Sequence, residues 1–177
     1  SRRVELDLNY EEIDTTQLRR IYPWRGPYVV TSEAGGTLAG WFEGRFARFD
    51  FQGNSQFESV SGTEIAGTVS LPISGSTFYH GVPGAVEVTG LVAQLGSTAF
   101  EADGLIDGEA TAIDFVVESE DFRDLGFLYG PANGRGRLQG VMADRIREPD
   151  LSGSFSIVNH NYGDREIDLL EGRATLT

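Results

Sequence analysis

Residues 113–125 read IDFVVESEDFRDL, and residues 6–18 read LDLNYEEIDTTQL. Laying Asp7 on Asp114 brings Glu11 onto Glu118, Asp14 onto Asp121 and Leu18 onto Leu125. Leu6 then falls on Ile113, Leu8 on Phe115 and, further along, Tyr22 on Tyr129. Each stretch opens with apolar residues at every second position, which suits a strand with one dry face and one wet face. Each then reaches an aspartate placed to cap a short helical turn, where a carboxylate accepts the backbone N–H groups that a first turn leaves free. The chain spells one supersecondary unit twice.

The correspondence continues beyond the turn. GWFEG at 40–44 matches GRLQG at 136–140 in its glycine spacing, and Gly53 leading to Phe57 matches Gly153 leading to Ile157. The period is about a hundred residues, and repetition of this kind signals units that stack because none buries its apolar face alone. The expected organisation is one continuous segment, with a first repeat over 1–107 and a partial second repeat over 108–177. The chain enters a strand pattern at once in SRRVELDL and stops inside another in EGRATLT, so excision from a longer protein is expected.

Alternation runs through the rest of the chain. VELDLNY sets Val4, Leu6, Leu8 and Tyr10 on one face; EIAGTVSLP sets Ile65, Gly67, Val69 and Leu71; AVEVTGLVA sets Val86, Val88, Gly90 and Val92. TAIDFVVES contributes Ile113, Phe115 and Val117, SFSIV contributes Phe155 and Ile157, and REIDLLEG contributes Ile167 and Leu169. Breaks at SGS (74–76), GVPG (81–84), NG (133–134) and NYGD (161–164) separate these runs with turn residues. Two short helices interrupt the pattern. One spans Thr15 to Ile21 after the Asp14 cap, with Gln17 at the capping-box position and Pro23 ending it. The other spans Phe122 to Tyr129 after Asp121, with Asp124 in the box and Gly130-Pro131 ending it. Both are expected to decorate the sheet without joining its core. The fold class is mostly β, antiparallel, with two short helices.

Composition removes several functions. Net charge is −13 and the sequence shows no basic patch, which argues against a nucleic-acid partner; all 14 basic residues are arginine. Cysteine is absent, which removes disulfides, thiolate metal sites and cysteine nucleophiles. Asp164, Glu166 and Asp168 alternate along one strand, reading as a solvated face where a glycosidase needs carboxylates facing each other across a cleft. EADGLIDGE at 101–109 lacks the residue order of a calcium loop and reads as a hairpin turn. His80 and His160 sit beside turn residues, and Ser152-Gly153-Ser154 lacks the elbow that presents a serine nucleophile. The expectation is a protein without cofactor, metal or catalytic residues. In GWFEGRFARFDF, Trp41, Phe42, Phe46, Phe49 and Phe51 give what reads as one strand two apolar faces. Such a strand is either core covered on both sides or a sugar-stacking surface.

With the repeat in view, AIDFVVES, the DFRDL turn, GRGRLQG and EPDLSGSFSI resemble the TamB/AsmA-like superfamily of large bacterial envelope proteins. The earlier counterparts ELDLNYEE, DTTQL, GTLAGWFEG and FQGNSQF repeat the same order. The resemblance implies an elongated, curled antiparallel sheet, a U-shaped groove of solenoid-like repeats in the periplasm, with any membrane anchor outside this segment. It implies lipid transport between inner and outer membrane, or outer-membrane biogenesis. The implied partners are phospholipid acyl chains, neighbouring repeats of the same chain and an outer-membrane assembly protein. The lining expected of such a groove is Val4, Leu6, Leu8, Ile65, Val69, Leu71, Val86, Val88, Ile113, Phe115, Val117, Leu138, Phe155, Ile157, Ile167 and Leu169. Two other readings stand beside it: a secreted β-sandwich module binding glycan or protein through Trp41, Trp24 and nearby acids, and a hydrolase with a carboxylate pair.

Overall fold

The computed structural model describes residues 2–17, 28–61, 68–107, 110–126, 133–145, 148–162 and 164–176. The chain divides into two compact units, Ser1–Pro83 and Gly84–Thr177. Both are built mostly from antiparallel strands with few helical residues, the fold class read from the alternation.

Unit 1 holds β1 (Val4–Asp14), the 3-10 turn η1 (Thr15–Gln17), β2 (Tyr28–Val30), β3 (Ser32–Glu43), β4 (Arg48–Ser59), β5 (Val69–Leu71) and β6 (Ser74–Val82). Its main sheet runs β1-β3-β4-β6, all antiparallel. Directly opposed residues share a face, so Leu6 with Gly40 and Phe51, and Leu8 with Leu38 and Gly53, fix one apolar side. Asp7, Ala39, Gln52 and His80 lie on the other. A bulge between Tyr10 and Ile13, with Glu12 at φ 55°, adds one residue to β1, so Ile13 returns to the apolar side opposite Ala34.

Two expectations change here. Val69 and Leu71 do not belong to this sheet: β5 is three residues long and pairs in parallel with β2, Val69 opposite Tyr28 and Leu71 opposite Val30. Pro72, which has no N–H to donate, follows it directly. Ile65 and Gly67 lie outside the described residues, as do Trp24, Leu18 to Pro23 and 127–131. GWFEGRFARFDF is a hairpin and not one strand. The turn Gly44–Ala47 reverses the chain, so Phe42, Phe49 and Phe51 share the apolar side while Trp41 faces the polar one beneath the Arg3 guanidinium, 4.5 Å away.

Unit 2 holds β7 (Ala85–Leu95), β8 (Thr98–Asp107), β9 (Thr111–Ser119), the 3-10 turn η2 (Phe122–Leu125), β10 (Arg135–Arg145), β11 (Glu148–Tyr162) and β12 (Arg165–Leu176). These strands pair in sequence order, and β12 is not paired back onto β7, so the sheet is not a closed barrel. In both units a strand leads into a 3-10 turn and then into two antiparallel strands. Leu8, Leu38 and Gly53 form a cross-strand triplet in unit 1; Phe115, Gly140 and Gly153 form one in unit 2. Leu8 with Phe115, and Gly53 with Gly153, are the residues that the sequence repeat equates. The match of GWFEG to GRLQG does not keep this register, because Gly40 sits opposite Leu6 whereas Gly136 sits opposite Ser119.

Both caps form. Asp14 Oδ1 accepts Thr16 N–H at 2.9 Å while its second oxygen accepts the Gln17 side-chain amide at 3.2 Å. Asp121 Oδ1 accepts Arg123 N–H at 3.0 Å. Asp124 does not complete a capping box. It accepts Ser97 N–H and Oγ–H at 2.6 and 2.7 Å, and Ser119 Oγ takes its place by accepting Asp121 N–H at 3.0 Å. Nor is η2 a decoration: Phe122 and Leu125 are 2% and 4% exposed, the most buried apolar side chains beside Val29 among the described residues. An amphipathic turn that short is stable only when packing supplies what its few hydrogen bonds cannot.

Candidate functional site

Following the register across unit 2 resolves its apolar side into rows. Ala93, Phe100, Val117, Leu138, Phe155 and Gly172 lie directly opposite one another in turn, one from each strand. The next row is Leu91, Ala102, Phe115, Gly140, Gly153 and Ala174, and the third is Val88, Gly104, Ile113, Met142, Leu151 and Leu176. On β10 and β11 the middle row narrows to Gly140 and Gly153, with Leu138 and Phe155 in the row on one side and Met142 and Leu151 in the row on the other. At Gly172 a Cβ would strike the Phe155 ring, 2.7 Å away, so this glycine makes room for the phenylalanine of the neighbouring strand.

The face is apolar, yet most of it is only half-buried. Val117, Ala93 and Leu95 are buried, whereas Phe115, Leu138, Phe155 and Ile157 remain partly accessible. No described element of unit 2 makes an extensive packing layer across it. An antiparallel sheet tolerates water on one face; here the polar face is exposed and the apolar face is only partly covered as well.

The opposite face carries charge. Glu101, Asp103, Asp114 and Glu118 project from β8 and β9, and Arg137 pairs with Glu118 across β9 and β10. A shallow trough of about 660 Å³ opens on this side, bordered by Asp103, Asp114, Gln139, Ser152, Ser154 and Arg173. Beside η2, the Arg123 guanidinium and backbone N–H, both bonded to Asp121, hold that carboxyl below its ordinary value.

The expected lining divides accordingly. Val86, Val88, Ile113, Phe115, Val117, Leu138, Phe155 and Ile157 come together on the apolar face of unit 2. Val4, Leu6 and Leu8 share the apolar face of unit 1, with Val4 and Leu8 largely exposed. Leu169 does not join the unit 2 surface: it pairs with Val158, on the other side of the sheet from Ile157 and Leu170, and is 54% exposed. Ile167 pairs with His160, beyond Asn159, whose φ is 56°. Val69 and Leu71 are in the parallel pair, and Ile65 lies outside the described residues.

Alternation alone missed Leu91, Ala93 and Leu95. A bulge between Val88 and Leu91 shifts the strand by one residue, bringing these three to the apolar face and sending Val92 to the polar one. Gly90 adopts φ 59° there and donates its N–H to Asp103 Oδ1 at 2.5 Å. The glycine inside GLVAQL was the available signal.

Unit 1 presents a different surface on its apolar side. Tyr10 and Tyr79 extend over Gly36 and Gly53, where a Cβ would meet each hydroxyl at 2.8 Å. Tyr10 O–H reaches Asn54 O at 3.1 Å and lies 2.8 Å from Ser55 Oγ, while Tyr79 O–H donates to Thr37 O at 3.0 Å. Burial, with the Tyr10 hydroxyl nearby, pushes the Tyr79 phenol far above its ordinary value. The Phe rings continue this surface, Phe42 stacked on Phe46 at 4.3 Å and Phe49 on Phe51 at 5.5 Å. His80 and His160 lie on β6 and β11 and not in turns, His80 paired with Asp50 at 3.0 Å and His160 Nδ1 3.2 Å from Asn133 O. Asp164, Glu166 and Asp168 are all exposed.

Comparison with family models, curated proteins and solved structures finds no match to this chain.

Proposed function

We propose that this chain is a segment of a bacterial envelope protein that shelters phospholipid acyl chains on its apolar sheet faces. In this role it carries lipid through the periplasm between inner and outer membrane, or supports assembly of outer-membrane proteins, and performs no chemical step. The observation that carries the reading is the half-buried apolar face of unit 2, where Gly140 and Gly153 lie between a row holding Leu138 and Phe155 and a row holding Met142 and Leu151. An acyl chain laid there removes apolar area from water on both partners, at about 0.8 kcal/mol for each buried CH₂. Such contact is non-directional, so a lipid can bind and leave without a hydrogen bond to break.

The trough on the polar face favours a second reading, a module binding a glycan or another polar ligand. Trp41 gives it less support, since Arg3 lies over the ring.

Leu138→Asp tests the first reading. Leu138 is half-buried between Val117 and Phe155, so a carboxylate there meets water in the empty protein and acyl chain in the loaded one. Native mass spectrometry of the parent chain incubated with phospholipid should show bound lipid. The variant should lose it while keeping its β circular dichroism. A parent that takes up no lipid, or a variant that unfolds because the face is sealed, would overturn the proposal.

A further inference from the structure

We infer that the β3–β4 hairpin tip of unit 1 docks on an anionic lipid bilayer surface. Backbone strain at this tip is the first observation. Gly44, Arg45 and Phe46 occupy the left-handed region in succession, at φ 57°, 55° and 65°. Glycine adopts that conformation freely, but a side chain makes it costly, and an aromatic residue is rarely found there. The turn is nevertheless closed by Ala47 N–H donating to Gly44 O at 3.2 Å.

What the strain achieves is a surface. Phe46 is brought parallel to Phe42, with ring centroids 4.3 Å apart and planes 14° apart, and lies 6.4 Å from Phe51. It stays 56% exposed, so the aromatic side extends past the last paired residues of the sheet and ends in solvent. Stacking alone does not explain a strained residue that leaves half its area in water.

Charge identifies the partner. In a chain of net charge −13, Arg2, Arg3, Arg45 and Arg48 gather at this end, because Val4 pairs with Phe42 and Glu43 with Arg48. The acids here are already engaged: Glu43 with Arg48 at 2.6 Å, Glu5 with Arg3 at 4.0 Å, and Asp50 with His80 at 3.0 Å. Arg45 has no acidic partner among the described residues. An exposed phenylalanine backed by half-buried aromatic rings and flanked by arginines matches the headgroup region of a bilayer, where rings insert at the acyl boundary and guanidinium groups reach phosphate. This assignment does not depend on acyl-chain binding by unit 2.

Flotation of the full chain with phosphatidylcholine vesicles, and with vesicles of phosphatidylcholine and phosphatidylglycerol, provides the test. The parent should float with the phosphatidylglycerol vesicles in low salt and stay behind with phosphatidylcholine alone. Phe46→Gly should weaken flotation about tenfold through lost apolar insertion, with its thermal midpoint unchanged or raised because glycine takes the positive φ without strain. Arg45→Glu, in the exposed turn, should weaken it by about fivefold to tenfold. Leu138→Asp should float like the parent, which keeps surface docking separate from lipid capture. A parent that ignores phosphatidylglycerol, or a Phe46→Gly variant that floats as well as the parent, would overturn the inference. The second result would make Phe46 a packing residue only.

Discussion

The two apolar faces follow one plan with different side chains. In each unit a strand enters a capped 3-10 turn and returns through two antiparallel strands, and the Leu8–Leu38–Gly53 triplet has its counterpart in Phe115–Gly140–Gly153. Unit 1 covers its glycines with Tyr10 and Tyr79, whose hydroxyls reach backbone carbonyls two strands away in the sheet. In unit 2 the nearest atoms to a Cβ at Gly140 or Gly153 are backbone atoms of the facing strand, and the adjacent rows carry Leu138, Phe155, Met142 and Leu151. Backbone register can therefore be kept while the exposed chemistry changes, because pairing is made by main-chain groups and the face by whatever projects from them. The turns differ too: η1 buries no residue, whereas η2 buries Phe122 and Leu125.

Three changes test this contrast, the largest first. Phe122→Ala should destabilise unit 2 by about 3–5 kcal/mol, the usual range for deleting a buried phenylalanine. Chemical denaturation should register that loss; a change below about 1 kcal/mol would make η2 as dispensable as a surface turn. Gly53→Ala is the corresponding probe of unit 1. The new methyl group meets the Thr37 carbonyl and the Tyr79 hydroxyl, and overpacking of this kind costs about 1–3 kcal/mol. By displacing the Tyr79 ring it should also reduce the burial that raises the phenol, seen as a fall of its pKa in ultraviolet titration, whereas a phenol that titrates as before would show that the ring does not tile this glycine.

The smallest effect concerns pH. Asp121 is lowered in the folded state by its bonds to Arg123, so its contribution is present above the ordinary carboxylate range and is lost as pH falls through the lowered folded value. Asp121→Asn should therefore narrow the stability gap to the parent only in acid. A gap that is constant from neutral pH down to strong acid would show that the charge of Asp121 does not matter to η2.

Much of this architecture was legible in the chain itself. Alternation assigned Val4, Leu6 and Leu8 to one face of β1, and Ile113, Phe115 and Val117 to one face of β9, because a strand has a period of two whatever it packs against. The caps at Asp14 and Asp121 were equally readable, since a carboxylate satisfies the backbone donors of the residues that follow it. Other assignments failed where one residue changed the phase. The bulge at Gly90 moved Leu91, Ala93 and Leu95 to the apolar face and Val92 away from it. Leu169 falls on the polar side because Leu170 is the residue that opposes Ile157.

By itself the sequence determined the period-two strands, the two capped turns and the recurrence of their order, all of which depend on residues close together in the chain. Only the tertiary structure decided that Val69 and Leu71 leave the main sheet for a parallel pair, that GWFEGRFARFDF folds back into a hairpin, and that Phe122 and Leu125 become core. It also decided which small residues line up as Gly140 and Gly153 do. Those outcomes depend on which strand lies beside which and in what register, and a single-residue shift reverses every side chain of a strand without altering its local pattern.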